Sequence, residues 1–149
     1  KCECGWQLDA ALDAVAAEGG IVIYMRGHEG RGIGLINKLR AYSLQEQGLD
    51  TVDANLALGF PIDSRDYAAA AGILGDLGVG AVRLLTNNPD KVAQLRELGV
   101  NVVEQVPLLV GVGANNHQYL VTKRERMGHT IGEQELNDAF DGAPRKGNA

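Results

Sequence analysis

The stretch AVRLLTNNPDKVAQLRELGVNVVEQV, residues 81–106, restricts the fold more than any other part of the chain. Ala81–Leu85 is a short apolar run of strand type. TNNPDK follows, with Asn88 and Pro89 in the order of a helix cap and a first helical residue. Val92, Leu95 and Leu98 then recur at helical spacing, and Val100–Val106 returns to a strand pattern. Strand, helix and strand in about 25 residues form a βαβ unit, which predicts parallel strands and a right-handed crossover. Parallel sheets are covered on both faces, so the expected class is α/β: a three-layer α/β/α arrangement around a largely parallel or mixed sheet.

The rest of the chain supplies elements for those layers. Leu8, Ala11, Leu12, Val15 and Ala16 predict a helix over 7–18, stopped by Gly19 and Gly20. Ile21–Met25 is a continuous apolar run, the pattern of a strand buried on both faces. A second helix is expected over 33–47, with Leu35, Leu39 and Tyr42 along one side and Gly48 as C-terminal cap. Residues 50–65 read as irregular. A helix over 67–77 carries Ala70, Ile73, Leu74 and Leu77 on one side, with Asp63 or Ser64 available to cap it. After a loop over 107–118, a helix over 119–127 carries Lys123, Arg124 and Arg126. At 149 residues the chain can bury about two thirds of its unfolded surface as a single domain. We place that domain over residues 1–132 and a polar, disordered tail over 133–149.

Composition narrows the partners. A formal charge of −5 and a pI near 5.1 argue against nonspecific nucleic-acid binding, which depends on a basic field. No apolar run approaches the roughly 18 residues that a membrane helix requires, and no signal-peptide pattern is present. Cys2 and Cys4 are the two cysteines, too close in sequence for a relaxed disulfide between them, so they read as thiols in a reducing, cytoplasmic setting.

Four segments carry chemistry. In GHEGRGIGLINK, residues 27–38, Gly27, Gly30, Gly32 and Gly34 let backbone approach a ligand, and the following helix offers unpaired amides to an anion. Phosphate is the natural guest, although neither G-x-x-x-x-G-K-[ST] nor G-x-G-x-x-G is matched. A glycine-rich turn with a solvated Glu–Arg pair gives the same pattern. Thiolates two apart, as at Cys2 and Cys4, can share a zinc ion, and a third ligand would come from upstream or from elsewhere, with His28, His117 and His129 as local candidates. In IDSRDY, residues 62–67, Asp63 could accept a proton and Arg65 could hold a phosphate bidentately; equally, they could be a helix cap and a solvated charge. TNNPDK follows a strand, at the carboxyl end where parallel α/β sheets bind ligands, and Thr86 and Lys91 could reach an anion there.

Taken in order, CECGWQLDAAL, YMRGHEGRGIGLINKLRAYSLQ, DTVDANLALGFPIDSRDY, LLTNNPDK and NNHQYLVTKRERMGH resemble GTP cyclohydrolase II, with coverage from Cys2 to about Ile131. The resemblance implies a zinc-dependent hydrolase that makes formate, pyrophosphate and 2,5-diamino-6-ribosylamino-4(3H)-pyrimidinone 5′-phosphate from GTP, the first committed step of riboflavin synthesis. It implies Cys2 and Cys4 as two of three zinc ligands, the third lying before the C-x-C block. It implies GTP contacts at Gln7, Glu29, Gly30, Arg31, Thr51, Thr86 and Lys91. Tyr42 matches a tyrosine that positions the ring opening, Asp63 the proton acceptor, and Arg65 the residue assigned as nucleophile on the α-phosphate. A guanidinium stays protonated at ordinary pH, so an electrostatic role with water attacking is the alternative for Arg65. Magnesium with the pyrophosphate, a homodimer, and an upstream fusion to a dihydroxybutanone phosphate synthase are further implications. The competing expectations are a relative that stops at the formamidopyrimidine, against which Tyr42 speaks, and a nucleotide-binding module without zinc.

Overall fold

The structure is a computed structural model that describes residues 4–113, 116–129, 131–133 and 136–138. The chain divides into two compact units, the first of Lys1–Val22, Arg83–Val92 and Val102–Ala149, the second of Ile23–Val82 and Ala93–Asn101. In chain order the elements are α1 (Cys4–Glu18), a 3-10 turn (Glu29–Gly32), α2 (Gly34–Glu46), α3 (Thr51–Ala57), α4 (Ala68–Asp76), β1 (Val82–Leu85), α5 (Pro89–Glu97), β2 (Val102–Val106) and α6 (His117–Met127).

The βαβ unit forms as expected. Val82 N–H donates to the Asn101 carbonyl and Thr86 N–H to that of Val106, each at 2.9 Å. Residue numbers rise together along both strands, so the pair is parallel. Asn88 caps α5 through its Oδ1, which accepts from Asp90 N–H at 3.1 Å. The α/β class therefore stands, while the sheet in the described residues has two strands. Ile21–Met25 does not join it. Ile21 and Tyr24 are exposed, which a strand buried on both faces could not be, and the boundary between the units falls after Val22.

Three further expectations are corrected. Residues 50–65 contain α3, whose Asp50 accepts from Val52 N–H at 2.8 Å and Asp53 N–H at 2.9 Å. That cap, with Asp53 in the first turn to complement the helix dipole, satisfies the otherwise orphaned amides of a short helix. At α4, the capping oxygen comes from Asp66, which accepts from Ala68 N–H at 2.8 Å, and not from Asp63 or Ser64. On α2, Leu35 and Leu39 face solvent, and the buried residue is Ala41. The helix packs against α3, where Thr51, Val52, Ala54 and Asn55 are buried.

The first unit has its core in Val112, Leu120, Ile131 and Leu136, joined by Leu109 and Val121. Leu136 is 1% exposed although it lies in the segment expected to be a polar tail, so packed structure reaches at least that far; residues 139–149 lie outside the described residues. The Trp6 ring comes close to Gly111, where an added Cβ would clash with Cε3 and Cδ2. Gly111 also has φ +65°, so a side chain there is disfavoured both by contact and by backbone.

Candidate active site

Each unit carries part of the expected site. In the second, residues 28–32 and 62–67 are two loops tied to one another. Ser64 N–H donates to the Arg31 carbonyl and His28 Nε2–H to that of Asp66, both at 3.0 Å, with a longer Arg31 Nη1 contact to the Ile62 carbonyl at 3.5 Å. A carbonyl can only accept, so the proton on His28 is fixed at Nε2. Gly32 makes this approach possible: an added Cβ would stand 3.0 Å from both the carbonyl carbon and oxygen of Ser64. Arg31, at φ +64°, is the one non-glycine residue of the described chain in the left-handed region. Such a conformation costs of order 1–2 kcal/mol and persists where surrounding bonds enforce it.

The junction gathers charge. Asp63 is gripped by Arg65: Nε lies 2.8 Å from Oδ1 and 3.1 Å from Oδ2, Nη2 also bonds Oδ2, and the Arg65 backbone N–H donates to Oδ1 at 3.1 Å. The guanidinium lies 5.9 Å from the ring centroid of buried Tyr67, which meets the His28 ring edge-on at 5.4 Å. On the other loop, Glu29 pairs with Lys38 of α2 at 2.5 Å, and the Lys38 ammonium stands 5.7 Å from the Tyr42 ring. Lys38 and Tyr67 thus join the site without having been singled out in the sequence, and His28, considered there as a metal ligand, joins it through its bond to the Asp66 carbonyl. Lys38 was legible as the residue four before Tyr42 on one helix face; the place of the other two becomes visible only once the loops meet.

Electrostatics follow from these contacts. Burial, the largest single influence on Asp63, raises its carboxyl pKa. The hydrogen bonds and charge of Arg65, with the charge of Arg31, together outweigh burial and hold it below the ordinary carboxylate range. The Lys38 hydrogen bond lowers Glu29 likewise, against a smaller opposing effect of burial. A depressed folded-state pKa contributes stability that is present above the unfolded value and lost as pH falls through the folded one. Acid unfolding of the parent should therefore steepen below the ordinary aspartate range near 3.9, and Asp63→Asn should flatten that limb. Thermal melts between pH 6 and pH 2 check this, and an unchanged acid limb in the variant contradicts it.

In the first unit, Cys4 opens α1 and is exposed, and Gln7 is half-buried one turn on. Cys2 lies outside the described residues. Thr86 and Asn88 are buried at the carboxyl edge of β1, and Lys91 sits half-buried in the first turn of α5. Asn87, also buried, clamps the next loop: its Nδ2 donates to the Leu108 carbonyl at 2.8 Å and its Oδ1 accepts from Leu108 N–H at 2.7 Å. Thr51, expected at the nucleotide, is buried at the first position of α3.

A carboxylate–guanidinium pair and a glycine-rich loop are thus tied together by backbone hydrogen bonds in one unit of an α/β chain. The sequence model for GTP cyclohydrolase II matches residues 1–107, and the chain belongs to that family. A GTP cyclohydrolase-2 of Neisseria gonorrhoeae is 58% identical over 134 residues, covering 89% of this chain and 68% of the relative. The riboflavin biosynthesis protein RibBA of Mycobacteroides abscessus is 58% identical over 144 residues, covering 96% of this chain and 34% of its own. That of Mycobacterium avium is 61% identical over 132 residues, 88% of this chain and 31% of the relative. The chain thus spans about a third of the length of the RibBA proteins it matches.

Proposed function

We propose that the chain hydrolyses GTP to 2,5-diamino-6-ribosylamino-4(3H)-pyrimidinone 5′-phosphate, formate and pyrophosphate. The observation that carries this reading is the junction of the two loops, which ties Arg31 to the segment of Asp63 and Arg65; family membership supplies the substrate. Arg31 and the amides entering α2 receive the anionic part of GTP. Arg65 stabilises charge developing on the α-phosphate while water attacks, because a guanidinium bonded to a carboxylate is a protonated cation and not a nucleophile. Transfer of Arg65 from Asp63 to the phosphate would leave a half-buried carboxylate without its main counter-charge. Its pKa would then rise, turning a poor base into a competent one. Tyr42, beside Lys38, would position the ring-opening step, and Gln7, Gly30, Thr51, Thr86 and Lys91 would complete the nucleotide contacts.

Cys2 and Cys4 would hold zinc, which supplies hydroxide near neutral pH when bound. Cys4 is exposed, so its sulfur is open to a metal ion. Magnesium would accompany the departing pyrophosphate. A homodimer is supported by Leu35, Ile36 and Leu39, which leave an apolar stripe on α2 open to solvent. The greater length of the RibBA relatives supports a fusion to a dihydroxybutanone phosphate synthase. The acidic charge supports a reading without nucleic acid as partner, in a cytoplasmic setting; among the described residues no helix is long and apolar enough to cross a membrane.

Product identification on the purified chain with GTP, zinc and magnesium tests the reading. Formate and pyrophosphate in equal amounts are expected. An unreleased formyl group would indicate a relative stopping at the formamidopyrimidine, and binding without turnover a nucleotide-binding module.

A further inference from the structure

The entrance of α5 holds a donor that the proposed reaction leaves unused. Asn88 is 5% exposed. Its backbone N–H donates to Thr86 Oγ1 and its Oδ1 accepts from Asp90 N–H, both at 3.1 Å, so the oxygen end of the amide is fixed as the helix cap. The other end, Nδ2, is buried with no hydrogen-bond partner. Neighbouring amides are not left in this state. Asn87 closes two bonds to Leu108, and Asn116 donates to the Gly111 carbonyl and accepts from Gly113 N–H, each at 2.9 Å. A buried amide nitrogen without an acceptor destabilises the fold that contains it, so its retention at this one position calls for an acceptor from outside the chain.

The surroundings define that acceptor. Asn88 lies between β1 and α5, at the carboxyl edge of the parallel pair, where α/β sheets bind ligands. Beside it stand the Thr86 hydroxyl and the positive end of the α5 dipole, with Lys91 in the first turn of that helix, while Asp90 next to them is exposed. A set of donors and positive charge selects an anionic oxygen. We propose that Asn88 is a substrate-binding residue, its Nδ2 donating to a phosphate oxygen of the nucleotide alongside Thr86 and Lys91. This rests on the assignment of Thr86 and Lys91 to GTP above, and goes beyond it by adding a phosphate-specific contact.

The test is calorimetric binding of GTP, inorganic tripolyphosphate and guanosine to the parent chain, Asn88→Ser, Asn88→Asp and Lys91→Ala. Serine keeps a capping oxygen and removes the donor. It should weaken GTP and tripolyphosphate by about tenfold each, the value of one hydrogen bond to a charged group, and leave guanosine unchanged. The ligand-free variant should melt no lower than the parent, because an unsatisfied donor has been removed. Asn88→Asp keeps the shape should serine fail to fold, and its carboxylate should weaken both phosphate ligands further. Unchanged GTP and tripolyphosphate affinities in both Asn88 variants, with Lys91→Ala still weakened, would overturn the inference alone. A loss confined to guanosine would overturn the phosphate assignment. If Lys91→Ala also bound GTP as the parent does, the nucleotide reading of this edge would fall with it.

Discussion

Replacing Arg65 by lysine should lower pyrophosphate release from GTP by about 100-fold or more, the usual loss when a preorganised donor to a developing oxyanion is removed. The structure shows why the exchange is not conservative. Arg65 bonds one carboxylate through Nε and Nη2 together and presents its guanidinium to the Tyr67 ring. A lysine ammonium is a single point of charge that can neither fork across two oxygens nor stack in the same way. Asp63 would lose its bidentate partner and keep the backbone N–H of residue 65 and the charge of Arg31, so its carboxyl should titrate higher than in the parent. Steady-state assays of formate and pyrophosphate, run beside a thermal melt to exclude unfolding, give the measurement. A lysine variant that released pyrophosphate at the parent rate would remove Arg65 from the phosphoryl step.

The second large effect is expected at Cys4. Cys4→Ser should bring formate release to background and zinc content well below one equivalent, while GTP affinity stays within a few fold. Serine is a much poorer zinc ligand than thiolate because its hydroxyl stays protonated near neutral pH. Metal analysis by mass spectrometry reads the zinc without reference to turnover, and calorimetry reads the GTP. Parent-level formate from a chain holding no zinc would contradict the metal assignment.

The contrast between these two sites shows what the residues disclosed unaided. The βαβ unit was legible because strand and helix periodicities alternate cleanly and Asn88–Pro89 mark the helix start. The class of the fold followed from that segment. Ile21–Met25 misled because an apolar run records hydrophobicity and not the presence of a pairing partner. The helix α3 was hidden because its buried face includes Thr51 and Asn55, which an apolar pattern does not count. On α2 the leucine periodicity pointed to the wrong face, since Leu35 and Leu39 are exposed and the buried residue is the small Ala41. At the site, the glycine-rich loop and the Asp63–Arg65 pair were each legible as chemistry. Their junction was not, because it depends on backbone hydrogen bonds such as Ser64 N–H to the Arg31 carbonyl, which leave no trace in side-chain identity. His28 and Tyr67 entered the site for the same reason.

The central claim is that the loop of Arg31 and the loop of Arg65 act on one nucleotide. A double-mutant cycle on GTP affinity tests it most directly, with Arg31→Lys, Arg65→Lys and the pair. Two guanidinium groups that share a ligand should show a coupling free energy of about 0.5–3 kcal/mol, whereas independent sites add to within about 0.5 kcal/mol. Clear non-additivity is the predicted result. Additive losses, or a loss from one arginine only, would mean that the two loops touch each other without serving the same substrate.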